Sequence, residues 1–376
     1  MTSDLSVTGT FTRLMSPSAL NLLVAQGSAL VKQMGIDLVR DVVLDILTGK
    51  NLRDSTEVLT RRRIATLNLA LVHLLLRGSI QITDFVRQMP YLAADVLKQK
   101  RLRKEERWLA QWILGLTDKG FQNVLRDNPD LLISYRDWYV KACQEAVDVY
   151  SKEYGELTGT AEVDSQAKAE LSWLLMVYLL NTVGAQTLAI RGSEKSTYGK
   201  LFERLVLGSL LHILGFKCIT PPPSEVERVF WLCSRSERRE SDATLLYAPG
   251  RGVRFDIGFI GRGNPEISLD KVTRYEHEMA LGESRYYMAT LIIVDRIGAN
   301  SRIEELARQV GGTIIQMSGS YWPQEVAREL NRVLGLDHEL VYMEPNRIHD
   351  FLRVEMRKVP LEEFIRSSAV HRYRSV

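Results

Sequence analysis

The chain has 376 residues, of which 45% are hydrophobic and 25% charged, the composition of an ordinary globular protein. Its net charge of +3 is too small to demand a polyanionic partner, so any nucleic-acid contact must come from local clusters. Cys143, Cys218 and Cys233 are too widely spaced for a metal-ligand pattern or a disulfide framework, which favours a reducing, cytoplasmic environment. The N-terminus has no basic segment followed by an apolar run, so we expect no signal peptide.

The first 190 residues carry apolar side chains at helical spacing almost throughout, which predicts a large all-helical region. Asp54 and Glu57 resemble a capping box and are expected to open a long helix that ends near residue 76. Residues 171–190 are uncharged over a length that could cross a bilayer. Polar residues in the second half of this stretch favour a buried helix followed by a loop, so we expect no membrane association.

Residues 98–104, with the sequence KQKRLRK, form the most basic local cluster in the chain. Such a run is typical of a solvated helix face. Contact with phosphate groups is the alternative hypothesis, and the salt dependence of binding would test it.

From residue 191 onward the pattern changes to alternating helices and strands, after a polar junction with the sequence RGSEKST. This alternation predicts an α/β unit (α+β overall) with a central mixed β-sheet flanked by helices. We expect a helical region over 1–190, a core over 191–336 and a charged C-terminal extension over 337–376. The expected strands lie at 216–219, 287–294 and 312–317, and the expected helices at 198–214, 269–281, 301–310 and 323–334.

Residues 240–271 read ESDATLLYAPGRGVRFDIGFIGRGNPEISLDK and predict two strands joined by a Pro-Gly-Arg-Gly turn. Asp242 opens the first strand, and Asp256 interrupts the apolar second strand. Folding the hairpin about its turn sets Asp242 close to opposite Asp256 and Gly258. Carboxylates on neighbouring strands repel each other unless a cation lies between them, so the pattern predicts a metal site. The alternative is an exposed edge hairpin whose acids point to water, which the apolar neighbours of Asp256 disfavour.

A helix that carries Glu203 precedes this hairpin, and a buried strand follows it. In this order, residues 198–317 resemble the PD-(D/E)XK nuclease superfamily. Ser241 and Asp242 match the "PD" pair, with Ser in place of Pro. Asp256, Ile257 and Gly258 match the "(D/E)-x-K" triplet, with Gly in place of Lys. Glu203 matches the acid that members of the superfamily often carry on the first core helix.

A second alignment to the same motifs is open. In it Asp256 takes the place of the "PD" acid, and Glu266, Ile267 and Ser268 form the triplet, again without a lysine. The hairpin geometry favours the first alignment, and Asp256 is a ligand in both. Glu266 would then be a further ligand or a hydrogen-bond partner. Lys271, or less readily Arg262, would supply the missing cation.

The resemblance implies hydrolysis of phosphodiester bonds with Mg²⁺ held by Asp242, Asp256 and Glu266, and with Glu203 and Lys271 as further catalytic residues. No glycine-rich phosphate loop, nucleophile elbow or HExxH motif points to another chemistry. The stretches RGSEKS, FDIGFIG and GNPEISLDK look most like type II restriction endonucleases of the CfrBI kind. The residues expected to contact DNA are Lys195, Lys200, Arg235, Arg238, Arg239, Arg262 and Arg274.

That narrower resemblance implies a cytoplasmic homodimer that cuts a specific sequence in double-stranded DNA, with a cognate DNA methyltransferase in the same system. The helical N-terminal region would then serve dimerisation and DNA contact. One alternative is a repair or recombination nuclease that recognises DNA structure. Another is a catalytically inactive DNA-binding or interaction module, which the missing lysine at Gly258 motivates.

Overall fold

The structure is a computed structural model of the chain. Its residues fall into two compact units. Unit 1 is formed by the described residues of Met1–Gln33 and Leu59–Glu194, and unit 2 by those of Met34–Val58 and Lys195–Val376. The predicted division at residues 190 and 336 stays a prediction. The structure describes residues 9–125, 128, 130–163, 167–219, 227–232, 241–259, 289–295, 312–319 and 321–366.

Helices account for most of the chain before the large sheet, as the sequence predicts. In unit 1 the buried Glu106 carboxylate accepts the backbone N–H groups of Phe11 (2.8 Å) and Thr12 (2.9 Å). These bonds attach the helix that contains Glu106 to the N-terminal 3₁₀ helix. The helices are a 3₁₀ helix (Thr12–Leu14), α1 (Pro17–Val24), α2 (Gly27–Met34), α3 (Ile36–Leu47), α4 (Leu52–Gln81), α5 (Phe85–Leu97), α6 (Lys104–Ile113), α7 (Asp118–Leu125), α8 (Asp130–Tyr154) and α9 (Trp173–Ile213).

The helix α9 is a single element of 41 residues, so the loop predicted after residue 180 and the polar loop predicted at residues 191–197 are wrong. The boundary between units 1 and 2 nevertheless falls within the second of these stretches, between Glu194 and Lys195. The physical reason is that this stretch, RGSEKST, contains no proline and includes arginine, glutamate and lysine, which propagate a helix well. Of its described side chains, those of Arg191, Ser193 and Thr197 are partly exposed, so their polarity accompanies contact with solvent and does not mark a break in the helix.

Two smaller expectations also need correction. The helix expected from Asp54 begins at Leu52, and Asn51 caps it, since the Asn51 side-chain oxygen accepts the Asp54 N–H at 2.9 Å. The small, polar residues at 158–165 predict a loop or a junction, but this segment contains a strand. This strand, β1 (Thr160–Glu162), pairs antiparallel with β2 (Lys168–Glu170).

Unit 2 contains a mixed six-stranded sheet, which confirms the predicted fold class. Its strands follow one another in chain order across the sheet. The pairs β3/β4, β6/β7 and β7/β8 are parallel, while β4/β5 and β5/β6 are antiparallel. The strands are β3 (Lys217–Cys218), β4 (Val229–Leu232), β5 (Ala243–Ala248), β6 (Arg251–Gly258), β7 (Ala289–Val294) and β8 (Gly312–Gln316).

The strands expected near residues 216, 287 and 312 are therefore present. The strand β4 is an addition, because the prolines at 221–223 and the charged residues after them predict an irregular segment up to Arg239. Burial explains why β7 was recognised, since five of its six residues are buried. The helices expected at 269–281 and 301–310 lie outside the described residues.

The sheet is accompanied in unit 2 by helices from both ends of the chain. The indole N–H of Trp322 donates to the Ile46 carbonyl at 2.9 Å, which joins the C-terminal helices to α3. Gly208 on α9 touches Phe364 so closely that a Cβ at this position would lie 2.6 Å from the ring. Glycine therefore lets the two helices meet. The C-terminal helices are α10 (Trp322–Leu334), α11 (Glu339–Tyr342), α12 (Pro345–Met356) and α13 (Leu361–Arg366).

Two apolar helical stretches, Leu52–Gln81 and Trp173–Ser193, are long and hydrophobic enough to cross a membrane by length and composition alone. This is weak evidence, because a core helix of a soluble protein passes the same test.

Candidate active site

The β5–β6 hairpin brings Asp242 and Asp256 together, as the sequence predicts. Ala243 pairs with Phe255, so one step further along the antiparallel ladder Asp242 lies opposite Asp256. The connection between the strands is Pro249–Gly250, and Gly250 has a φ of +71°. Proline followed by a residue with positive φ is the order that a type II turn requires. The register next to this turn pairs Ala248 with Arg251, and an irregularity between Leu246 and Ala248 shifts it by one residue. This shift, and not the turn alone, gives the register that sets Asp242 opposite Asp256.

The Asp242 carboxylate is held by the neighbouring strand. Its Oδ2 atom accepts the backbone N–H of Ile257 at 2.8 Å. The buried Ser241 hydroxyl lies 3.1 Å from the Ala243 carbonyl, to which it donates, and 3.2 Å from the Thr244 hydroxyl. Serine thus stabilises the start of β5 at the position where the superfamily motif has proline.

Asp256 lies on one face of β6, between two residues that point to the other face. Phe255 and Ile257 are fully buried, whereas Asp256 is half-buried. Side chains alternate along a strand, and directly paired residues share a face. The face that carries Asp256 therefore also carries Thr244 from β5 and Ile292 from β7, together with Asp242, which immediately precedes β5. We call it the acidic face of the sheet.

The donor set on the acidic face fits a divalent cation that prefers oxygen ligands. Two carboxylates directly opposite each other destabilise an antiparallel pair unless a positive charge lies near both. Mg²⁺ is usually bound by one or two carboxylates together with water and substrate phosphates, so Asp242 and Asp256 suffice as protein ligands. Within the part of the chain that the structure describes, no group of three His, Cys, Asp or Glu residues is arranged to hold a metal ion.

The predicted helix acid Glu203 is half-buried on α9, between the buried Phe202 and Leu205. Lys200 is exposed one helical turn before it, and this spacing places the two side chains on neighbouring positions of the helix surface. Lys195 also lies within α9, and its side chain is not among those described. The other predicted site residues lie outside the described residues; they are Arg235, Arg238, Arg239, Arg262, Glu266, Lys271 and Arg274.

Arg254 is a residue of the acidic face that stands in the sequence among several arginines around the hairpin, suited as a group to phosphate contacts, but without a predicted role of its own. It precedes Asp256 by two positions on β6, pairs with Thr244 and is half-buried. The signal was available, because counting back by two from an inward-facing acid identifies the residues on its face. Attention to the motif position at Gly258 led instead to Lys271 as the source of the cation.

Burial shifts the pKa of two titratable side chains in unit 2, Cys218 and His212, in the direction that favours the neutral form. Burial raises the pKa of the Cys218 thiol to about 11, so this thiol is not a thiolate ligand or nucleophile at neutral pH. Burial also lowers the pKa of His212 on α9, whose ring packs edge-on against Phe364 with centroids 6.4 Å apart. This contact indicates a structural role for His212.

Comparison with known proteins assigns the chain to a family. The family model of the CfrBI restriction endonuclease matches residues 36–302, more than half of the chain. The type II restriction enzyme CfrBI of Citrobacter freundii is 36% identical over 338 residues, which cover 89% of this chain and 92% of that protein. No solved structure matches the chain. The chain belongs to the CfrBI restriction endonuclease family, which confirms the resemblance found in its sequence.

Proposed function

We propose that this chain is a type II site-specific deoxyribonuclease that hydrolyses phosphodiester bonds of double-stranded DNA with Mg²⁺ as its cofactor. The observation that carries the proposal is the position of Asp242 against β6, in a chain of a restriction endonuclease family. Asp242 accepts the Ile257 N–H and lies one ladder step beyond the Ala243–Phe255 pair, which sets it opposite Asp256. The similarity to a type II restriction enzyme supports cleavage at a specific sequence.

Asp242 and Asp256 are the residues that would hold Mg²⁺, with Glu266 as a proposed third ligand. Each carboxylate has about four lone-pair sites, so the hydrogen bond from Ile257 to Asp242 does not exhaust its capacity. When bound, Mg²⁺ supplies charge stabilisation at the scissile phosphate and lowers the pKa of an attacking water. The backbone N–H of Ile257 orients the Asp242 carboxylate before substrate arrives.

The position of the motif lysine is occupied by Gly258, which offers no side chain to stabilise the charge that develops on the phosphate. Lys271 remains our proposed replacement from the sequence. Arg254 is a second candidate, because it shares the acidic face with Asp256. A guanidinium can contact two phosphate oxygens at once, which suits the transition state of phosphodiester hydrolysis.

Around this centre we propose that Lys195, Lys200, Arg235, Arg238, Arg239, Arg262 and Arg274 contact DNA, with Glu203 supporting the metal site from α9. We further propose a cytoplasmic homodimer, because a two-fold symmetric enzyme presents one site to each strand of a palindromic target. A DNA methyltransferase that protects the same sequence would be the partner in the system.

The test is incubation of plasmid DNA with the purified chain and Mg²⁺. Discrete fragments that require Mg²⁺ are the expected result. Smearing or nicking at irregular DNA structures would favour a repair or recombination nuclease, which is the second candidate function. Salt-sensitive DNA binding without any cleavage would favour an inactive binding module, the candidate that the glycine at position 258 motivates. The variants Lys271→Ala and Arg254→Ala then show which side chain replaces the motif lysine, since only loss of that side chain should abolish cleavage.

A further inference from the structure

Unit 1 contains a cleft of about 660 Å³ beside the loop that connects α5 to α6. Four cationic side chains line it, namely Lys100, Arg101, Arg103 and Arg107, and all four are exposed. Lys104, the first residue of α6, is exposed next to them. We call this region the basic cleft. It contains most of the cluster that stands out in the sequence at residues 98–104.

The positive charge of the basic cleft is not neutralised within the described chain. Lys98, at the start of the loop, forms an ion pair with Asp95 at 2.9 Å, as exposed lysines do elsewhere, for example Lys50 with Asp45 at 2.8 Å. The five cations of the cleft form no such pair with the described residues. A concave surface that concentrates like charges raises the local concentration of an oppositely charged ligand.

The two acids that follow the loop in sequence contribute little against this charge. Glu106 is only 2% exposed, and both of its carboxylate oxygens accept backbone N–H groups at the N-terminal 3₁₀ helix. Its charge is therefore directed inward. Glu105 is half-buried on the same first turn of α6. The outward charge of the segment is consequently strongly positive.

Aromatic rings hold two of the cations in place without using their hydrogen-bond donors. The Lys104 ammonium lies 4.5 Å from the centre of the Trp108 ring, and the Arg107 guanidinium lies 5.6 Å from that of Phe121. A cation over a ring face is stabilised by the ring quadrupole, while its N–H groups remain directed to other acceptors. Less side-chain entropy is then lost when an anion binds.

We propose that the basic cleft binds the phosphate backbone of duplex DNA, as a contact separate from the acidic face. The proposal rests on the proposed function, which makes double-stranded DNA the substrate. Duplex DNA carries one negative charge per about 1.7 Å of helix axis, so a cleft with several neighbouring cations meets several phosphates. Arginine binds phosphate oxygens through a planar fork of donors, and two arginines line the loop side of the cleft.

Phosphate contacts add affinity and register without reading bases. Loss of the cleft should therefore weaken binding of a cognate and an unrelated duplex by the same factor. It should also leave the cleavage rate at saturating DNA unchanged, because the acidic face is intact. These two properties separate the cleft from a base-reading contact and from a part of the catalytic centre.

The test measures binding of the full chain to a fluorescently labelled duplex by anisotropy, in buffer without divalent metal. The salt concentration is varied between 50 and 200 mM, because the affinity of complexes with many phosphate contacts falls by about 10³–10⁵ over this range. The variant is Arg101→Ala/Arg103→Ala. The matched control is Lys141→Ala/Lys152→Ala, which removes the same charge from the exposed surface of α8 in unit 1. Thermal unfolding checks that both variants fold.

We expect the cleft variant to bind both duplexes about tenfold more weakly, and its salt slope to be smaller by about one to two units. The control should stay within about twofold of the parent chain, since only general charge is lost. In plasmid cleavage with Mg²⁺, the cleft variant should show a raised KM and the parent kcat.

Equal affinity and equal salt slope for the cleft variant and the control would overturn the proposal. If the parent chain cleaves plasmid DNA in that case, only the role of the cleft fails. If the parent chain neither binds nor cleaves duplex DNA, the proposed function fails, and the role of the cleft fails with it.

Discussion

The acidic face of unit 2 and the basic cleft of unit 1 carry opposite charges and differ in how firmly the structure holds the charged side chains. Asp242, directly before β5, and Asp256, on β6, are half-buried, and a backbone N–H holds Asp242. The cations of the cleft lie exposed on and after a loop between helices, and aromatic rings hold two of them. Metal ligands must be placed to within a fraction of an ångström, whereas long cationic side chains adapt to a phosphate backbone. Changes at the face should therefore alter rate, and changes at the cleft affinity.

The largest expected effect is that of Asp256→Asn on the acidic face. The amide keeps the shape of the side chain but removes the charge that a metal ligand needs, so the rate of plasmid cleavage should fall about 10³-fold. Duplex affinity without metal should not decrease. Asp350→Asn on α12 is the matched control, an exposed acid of the same unit, and should cleave like the parent chain. A cleavage rate near the parent value for Asp256→Asn would remove this residue from the site.

Arg254→Ala should lower the cleavage rate by about 10²-fold, because one charged donor would be lost beside the reacting phosphate. Arg251→Ala is the control on the same strand. The Arg251 guanidinium donates to the Leu334 carbonyl at 2.8 Å, and its loss should cost about 1 kcal/mol of stability without slowing cleavage. Equal cleavage rates for the two variants at saturating DNA would show that Arg254 does not contribute to the cleavage rate.

Glu106→Gln should reduce stability, whereas changes at the proposed metal ligand Asp256 should reduce the cleavage rate. Glutamine retains one oxygen, so it can replace only part of the two charge-assisted hydrogen bonds to Phe11 and Thr12. We expect the free energy of unfolding to fall by about 1–3 kcal/mol in urea denaturation. The half-buried Glu105, changed to Gln, serves as the control and should change stability little. A stability unchanged by Glu106→Gln would mean that these bonds do not hold α6.

The smallest expected effect is a pH dependence of stability from His338 in unit 2. Burial lowers the pKa of His338 below its usual value of 6.5. Its Nδ1 accepts the Leu340 N–H at 3.2 Å, and its Nε2 lies 3.0 Å from the Ile213 carbonyl, which fits a neutral ring that donates from Nε2. Because the unfolded chain takes up this proton more readily, stability is complete above about pH 6.5 and falls as the pH drops below it.

The melting temperature of the parent chain should therefore decrease from pH 7.5 towards pH 5.5, a span that crosses the ordinary histidine pKa of about 6.5. His338→Gln should weaken this dependence, because glutamine keeps a donor and an acceptor but does not take up a proton. His349→Gln, at an exposed residue of α12, should preserve the parent dependence. The same pH dependence in His338→Gln and the parent chain would contradict this account of His338.

The hairpin and its acid pair could be predicted from sequence because their cause is local. A Pro-Gly turn starts the hairpin, and alternating apolar residues define its strands, although the one-residue register shift between Leu246 and Ala248 could not be read from the sequence. The full length of helix α9 could not be predicted, because the polar composition of residues 191–197 fits an exposed helix surface as well as a loop. The strand β4 was not predicted because it has only four residues, and the charged and proline-containing segments around it show no alternation of apolar and polar residues.

The candidate site was predictable to the same extent. Asp242 and Asp256 followed from the strand pattern, whereas the group that replaces the lysine at Gly258 depends on neighbours across the sheet and on distant segments. Arg254 could have been found by alternation along β6, but the motif directed attention to the residues after Gly258. The basic cleft shows the same limit. The sequence identifies its cations, but only the structure shows that an aromatic ring packs against Arg107 and that the Glu106 carboxylate is bound in the interior.

The central claim is that Asp242 and Asp256 bind a divalent cation together. Its most direct test is titration of Mn²⁺, a paramagnetic substitute for Mg²⁺, into the full chain with an uncleaved duplex, with free Mn²⁺ measured by electron paramagnetic resonance. Asp242→Asn and Asp256→Asn should each weaken binding at the same site, and the double variant should bind little more weakly than either, because both acids serve one ion. Mn²⁺ binding of parent affinity in the double variant would contradict the claim.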